Sequence, residues 1–209
     1  MDLIASLLNP QSLITSLGSL ALVGVVAIIF AECGLLIGFF LPGDSLLFVT
    51  GLLIAQGFVH TSLWLACVLL SIAAVAGNIV GYWIGRKAGP AVFNRPDSRF
   101  FKQQYVDQAH EFFGRHGKRA IVMGRFVPIV RTFLTVTAGV AKMNPRVYNA
   151  YSVIGGVLWA SGLTILGHQL GHIAIIKNNI EIFAIGIVVV SFIPVAIELA
   201  RTRTRTRTR

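Results

Sequence analysis

Charge is what this chain has little of. Only 12% of its 209 residues are Asp, Glu, Lys or Arg, 55% are hydrophobic, and the mean hydropathy is +0.76. A soluble domain carries about 25% charged residues, so a water-facing globule is excluded. Acids are scarcer still, eight against eighteen Lys and Arg. The two cysteines, Cys33 and Cys67, both fall in apolar runs and read as small buried hydrophobes rather than a disulfide or a metal pair. No Ser-His-Asp set, nucleotide-binding loop or metal-ligand signature occurs, so neither an enzyme nor a cofactor or metal is expected. His168 and His172 could share a helix face, but no Glu-x-x-His partner accompanies them. The amino terminus "MDLIASLLNPQSLITSLGSL" has neither a basic start nor a small-residue cleavage motif, so no cleavable signal is expected.

Long apolar runs are present instead, at Leu20–Leu41, Leu63–Ile84, Tyr148–Leu166 and Ile180–Leu199. Each approaches or reaches the roughly 20 residues that cross a hydrocarbon core about 30 Å thick. The fold class expected is an all-α polytopic membrane protein.

The positive charge marks sides of the membrane. Of the eighteen basic residues, five lie in the tail "RTRTRTRTR", Arg201–Arg209, and eight lie between Arg86 and Arg119. Both groups should be cytoplasmic, and nucleic acid is not an expected partner. Leu63–Gly85 then runs inward, Ile180–Leu199 ends inside, and Gly171–Asn179 faces out. No Lys or Arg precedes Arg86, which suits an external start.

That leaves Ala120–Ala141 between two basic groups that should share the cytoplasmic side, Lys118–Arg119 and Lys142–Arg146. A full crossing would put them on opposite sides, so a re-entrant hairpin is expected. Pro128 supports it by removing a helix hydrogen bond and disfavouring helical geometry at Val127. Leu20–Gln56 invites the same reading: it is too long for one helix, breaks at Pro42–Gly43–Asp44, and its second arm is too short to span. Each hairpin is followed by one spanning helix, which predicts two copies of one unit in opposite orientations, an architecture of secondary transporters. The segment Asn94–Gly117 interleaves Phe, Tyr, Lys and Arg and reads as an amphipathic helix in the cytoplasmic interface. His116 there reads as an interface contact. Gly77, Gly81, Gly85 and Gly89, and Gly155, Gly156 and Gly162 around Trp159, predict close helix packing. Asn78 suggests an interhelical hydrogen bond or a polar path. The resulting expectation is two opposed hairpins plus about three to four transmembrane helices in an inverted repeat. Residues 1–200 form a single membrane domain, and 201–209 a disordered basic tail.

The chemistry lies in four charges. Arg125 and Arg131 flank Pro128, and a guanidinium cannot escape its charge by deprotonating. Each costs roughly 2.5–3.5 kcal/mol at the midplane of a bilayer. In one unbroken helix they would point about 120° apart; a break lets both turn to one point. Glu32 and Asp44 flank the break Pro42–Gly43 of the other hairpin. If the tips meet, two acids oppose two bases. One reading is that the four simply pair and hold the hairpins together. The other is a transport site, since buried ion pairs are weakly stabilising at best. Guanidinium forks suit a phosphate, helix amino termini after Gly43 and Pro128 would assist, and Glu32 is the better proton carrier.

The segments "AECGLLIGFFLPGDSLLF", "GRHGKRAIVMGRFVPIVRTFLTVTAGVAKM" and "YNAYSVIGGVLWA" resemble the DedA family of bacterial membrane proteins, also called SNARE-associated or VTT-domain proteins, from about Phe30 to Gly171. That resemblance implies two opposed re-entrant hairpins, a place in the bacterial cytoplasmic membrane, and the movement of lipids between leaflets. Undecaprenyl phosphate is the cargo implied for some bacterial members, with proton dependence; phospholipid scrambling is implied by eukaryotic relatives. The residues it requires correspond to Glu32, Asp44, Arg125 and Arg131. The expected partners are an anionic lipid and protons, with a homo-oligomer left open. Two alternatives stand beside lipid transport: a proton-coupled exporter of small molecules or drugs that supports membrane potential and pH homeostasis, and a non-transporting scaffold. The Arg-Thr tail has no counterpart in the resemblance.

Overall fold

Prolines and glycines set where the helices start and stop. The structure, a computed structural model, describes residues 10–35, 41–93, 119–124 and 128–173, and the described residues form six α-helices and no strand. These are α1 (Pro10–Gly34), α2 (Gly43–Ala55), α3 (Leu63–Phe93), α4 (Arg119–Met123), α5 (Pro128–Val140) and α6 (Pro145–Gly171). Pro10, Pro128 and Pro145 each open a helix, the position where a missing N–H costs nothing. The Pro42 carbonyl accepts the first bond of α2, from Leu46 N at 3.0 Å.

Two of the helix starts follow or coincide with prolines that the sequence singles out: α2 begins at Gly43, after Pro42, and α5 begins at Pro128. Two bounds differ. The first arm starts at Pro10, ten residues before Leu20, because Pro10 supplies a ready helix start ahead of the apolar run. The first long helix runs past Gly85 to Phe93, because charge at Arg86 and Lys87 ends an apolar run without ending a helix. The expected amphipathic helix Asn94–Gly117 with His116, the span Ile180–Leu199, Lys177 and the Arg201–Arg209 tail lie outside the described residues.

The order of elements repeats along the chain. A 13-residue helix, α2 or α5, is each time followed by a long one, α3 of 31 residues or α6 of 27. Both short helices end in the same C-terminal motif. After α2, Gly57 N bonds Ile54 O (3.1 Å) and Phe58 N bonds Leu53 O (3.0 Å), with Gly57 at φ 76°. After α5, Lys142 N bonds Gly139 O (3.0 Å) and Met143 N bonds Ala138 O (3.1 Å), with Lys142 at φ 50°. This is the Schellman cap, in which two orphan carbonyls are satisfied by a residue in left-handed geometry. Asn144 then caps α6, its Oδ1 accepting from Arg146 N at 3.0 Å.

Two stretches, Leu63–Lys87 (25 residues) and Pro145–Gly171 (27 residues), are long and apolar enough to cross a membrane. At 1.5 Å per residue they measure about 37 and 40 Å. Their outward faces are apolar: Trp64, Leu65, Val68, Ile72, Val80 and Ile84 on α3, and Val153, Ile154, Val157, Leu158 and Leu166 on α6, are all exposed. Water would not tolerate that much contiguous hydrocarbon, whereas lipid does. Trp64 and Trp83, both exposed, stand 19 residues apart on α3, about 28 Å by helical rise. That is close to the separation of the two interfaces that tryptophan favours.

The chain divides into two compact units, one made of Met1–Val25, Pro42–Ala66 and Leu163–Arg209, the other of Val26–Leu41 and Cys67–Gly162. In the first, α2 packs against the last turns of α6. Leu47 and Leu52 are fully buried, and a side chain at Gly51 or Gly167 would strike the backbone of the facing helix. His168 and His172 meet edge to face, ring centroids 4.8 Å apart. In the second unit, α3 is the central element. A methyl at Gly77 would sit 2.5 Å from Phe30 O on α1, and one at Gly81 would sit 2.7 Å from Thr135 Cγ2 on α5 and 3.0 Å from Gly34 O. The expected close packing is therefore present along α3. It is not present at Gly162, where nothing lies within 4 Å of an added Cβ; that glycine faces open space, and spacing alone could not distinguish the two cases. Contacts of Gly81 with Thr135, Gly85 with Val136 and Gly139 with Tyr82 make α3 and α5 parallel. Tyr82, Ile121, Leu134, Ala138 and Tyr148 close the core of this unit. Cys33 and Cys67 are buried, as expected, and neither is in a disulfide among the described residues.

Candidate functional site

Two charges meet inside the second unit. Glu32, in the last turn of α1, is 2% exposed, and Arg131, in the first turn of α5, is 10% exposed in its side chain. Arg131 Nη2 donates to Glu32 Oε1. The face of the same guanidinium lies over the Trp159 ring of α6, Cζ 4.4 Å from the centroid. Trp159 is 3% exposed, so this cation–π contact is dry, and such contacts are worth about 2 kcal/mol when desolvated.

The helix ends make the arrangement unusual. A helix carries partial negative charge at its carboxyl end and partial positive charge at its amino end. Glu32 sits at the wrong end of α1 and Arg131 at the wrong end of α5, each disfavoured by about 0.3–1 kcal/mol. Swapped as partners, each charge complements the other's helix: the guanidinium meets the carbonyl end of α1, and the carboxylate meets the amino end of α5. Glu32 thus stands where an anionic ligand would be favoured.

A polar layer backs the pair. Thr135, one turn beyond Arg131, places Oγ1 3.3 Å from the Arg131 carbonyl and 3.4 Å from Asn78 Oδ1. Tyr148 OH donates to the Asn78 carbonyl at 3.4 Å. Farther along α3, Arg86 Nη1 donates to Tyr82 OH at 2.7 Å and to Met143 O at 3.3 Å, and Tyr82 OH donates to Met143 O. Tyr82 stacks on Tyr148, centroids 4.6 Å apart.

Of the expected site residues, the structure joins Glu32 to Arg131. Asp44 lies in the first turn of α2, in the other unit, where an acid complements the helix amino terminus. Arg125 lies outside the described residues. Pro42 precedes α2, Gly43 is its first residue, and Pro128 is the first residue of α5. Sequence reasoning missed Trp159, taken only as the centre of a glycine cluster. Its place was a signal: a tryptophan in the middle of a spanning helix, away from either interface, needs a partner of its own. Thr135 and the Tyr82–Arg86 pair were also missed.

A hydrophobic α-helical chain with a buried acid–arginine pair at facing helix ends can be compared with known proteins. The VTT domain model matches residues 10–169, most of the chain. The chain belongs to the VTT-domain, or DedA, family. The protein DedA of Escherichia coli is 42% identical over 174 residues, covering 83% of this chain and 80% of its own. An uncharacterized membrane protein of Mycobacterium tuberculosis, Rv0364, is 42% identical over 184 residues, 88% of this chain and 81% of its own. The inner membrane protein YqjA of Escherichia coli is 39% identical over 147 residues, 69% of this chain and 64% of its own. No solved structure matches. As a VTT-domain protein, this chain is a membrane protein, and the matched span contains Glu32, Asp44, Arg125 and Arg131.

Proposed function

We propose that this protein moves an anionic lipid between the leaflets of the bacterial cytoplasmic membrane, with undecaprenyl phosphate or a related polyprenyl phosphate as cargo. One observation carries the reading: Arg131, buried and stacked on Trp159, is paired with a carboxylate at the amino end of α5. A phosphate offers a guanidinium the same oxygen geometry as a carboxylate. Lipid phosphate and Glu32 can therefore exchange on one arginine, and a proton taken up by Glu32 releases Arg131 for the lipid. Arg125 acts as a second phosphate contact, and Asp44 as a second acid that handles protons or release. The protein is a carrier, not an enzyme.

The topology that serves this function is two opposed re-entrant hairpins, Leu20–Gln56 and Ala120–Ala141, with the carboxyl terminus cytoplasmic. It is supported by the parallel course of α5 beside α3, which brings Met143 to Arg86 at the basic end of that helix. Broken helices at membrane depth are tolerated where protein shields them, as in secondary transporters.

The test is reconstitution in liposomes, following leaflet exchange of a labelled polyprenyl phosphate alongside drug-driven proton flux. Exchange that falls at least tenfold with Arg131→Lys supports bidentate phosphate recognition, because lysine keeps the charge and loses the fork. Proton flux without lipid exchange refutes the lipid reading in favour of an exporter; neither activity from folded protein leaves a scaffold.

A further inference from the structure

The interior of the second unit holds more polar side chains than the Glu32–Arg131 pair needs. Asn78, Thr135 and Ser152 are buried on α3, α5 and α6, with Tyr82 and Tyr148 fully enclosed beside them. Leucine would pack these helices at lower cost, because buried polar groups must be hydrogen-bonded to be tolerated. These groups are also not scattered. From Glu32 the contacts run through Arg131 to Thr135, from Thr135 to Asn78, from Asn78 to Tyr148, across the ring stack to Tyr82, and on to Arg86. The string ends at half-buried Arg86, with exposed Lys87 next to it in the chain and exposed Lys142 and Arg146 flanking its bonding partner Met143.

Its middle bonds sit at the outer limit of hydrogen-bond length, 3.3–3.4 Å. Asn78 Nδ2 is buried and has no acceptor among the described residues. The orientation of the carboxamide does not remove this. As placed, Oδ1 accepts from Thr135 and both Nδ2 hydrogens are spare. Turned over, one hydrogen reaches Thr135 Oγ1 and the other remains. Asn78 thus has a spare buried donor at Nδ2, Thr135 Oγ1 on its side chain and Tyr148 OH on its backbone carbonyl, and groups of this kind are the polar partners that a buried water molecule takes.

We propose that this string is a hydrated access path through which water, and protons with it, reach Glu32 from the Arg86 end of the unit. The inference rests on the reading of Glu32 as the proton-handling group. The arginines cannot relay, being donors only; hydroxyls and water both donate and accept. A proton entering near Arg86 passes along water and the hydroxyls of Tyr148 and Thr135, each oxygen accepting one proton and giving up another, and water carries it past Arg131 to the Glu32 carboxylate. The charged and titratable groups along this route are Arg86 and Tyr82 on α3, Arg131 on α5, Tyr148 on α6 and Cys33 beside Glu32.

Access is tested with silver ion, which enters narrow hydrated paths and blocks thiols. Cys33 and Cys67 are replaced by Ala, a single cysteine is introduced as Asn78→Cys or Thr135→Cys, and the protein is sealed in vesicles of known orientation. Silver ion is applied to one side, quenched, and the remaining thiol is counted with fluorescent maleimide after denaturation. Blocking of either cysteine at least tenfold faster from the Arg86 side than from the other, with Leu70→Cys in the apolar core unreactive, supports the path. Thr135→Cys is close to isosteric and guards against loss of fold at Asn78. Folded variants left unblocked from both sides, or blocked faster from the opposite side, overturn it. Because the readout needs no lipid movement, blocking without lipid exchange sinks the proposed cargo and leaves the path; lipid exchange without blocking does the reverse.

Discussion

Removing one member of the Glu32–Arg131 pair should cost far more than removing both. Glu32→Leu leaves a guanidinium at 10% exposure with its carboxylate gone; Arg131→Leu leaves a carboxylate at 2% exposure with its guanidinium gone. Breaking a buried pair from one side costs about 3–5 kcal/mol, while replacing both partners by packed apolar groups is close to neutral. Arg131→Leu also forfeits the Trp159 contact, about 1–2 kcal/mol more. At about 2–4 °C per kcal/mol for a chain of this size, Glu32→Leu should melt roughly 6–20 °C lower and Arg131→Leu roughly 8–28 °C lower. The double variant Glu32→Leu with Arg131→Leu should recover most of that loss and still fail to move lipid. The two buried thiols, Cys33 and Cys67, make the assay direct, since a thiol-reactive dye reports their exposure on heating in detergent. A double variant that falls by the sum of the singles would show that the pair is not coupled, and the reasoning fails. So does a double variant that restores both stability and transport, since the charges would then have served assembly alone.

Other outcomes follow from single contacts. Trp159→Phe keeps a ring under Arg131 and should retain more lipid exchange than Trp159→Leu, which keeps volume without a π face; equal exchange by the two would remove Trp159 from the site. Gly85→Val drives a branched side chain into the Val136 backbone, so its thermal midpoint should fall by several degrees, with α3 and α5 forced apart. Lys142→Gly relieves a left-handed non-glycine residue at the end of α5, and about 1 kcal/mol of added stability is expected in the same melting assay. Asn144→Ala deletes the cap of α6 and should cost about 1 kcal/mol by the same measurement.

The amino-acid sequence by itself determined the class, the starts of α2 and α5, and the family. These are local properties: a run of hydrocarbon long enough for a bilayer, a proline that must open a helix, and a spaced set of acids, prolines and arginines that can be read in order. The importance of Glu32 and Arg131 was also legible, because a permanent charge in an apolar run is costly wherever it lies. What sequence could not decide was partnership. Glu32 and Arg131 are 99 residues apart, and Asp44 competes for the same arginine on chemical grounds alone. Only the tertiary structure, in which α1 and α5 both approach α3 at Gly81, shows that Arg131 holds Glu32. Trp159 and Thr135 are decided in the same way, by helices crossing in space; Arg86 and Tyr82 are one turn apart on α3, and the fold adds the Met143 carbonyl that both bond. Gly81 and Gly162 carry the same letter, yet one meets a neighbour at 2.7 Å and the other meets nothing within 4 Å. Periodicity fixes the face a residue presents on its own helix; the depth and angle of a crossing, set by how closely small residues let two backbones approach, decide what that face touches.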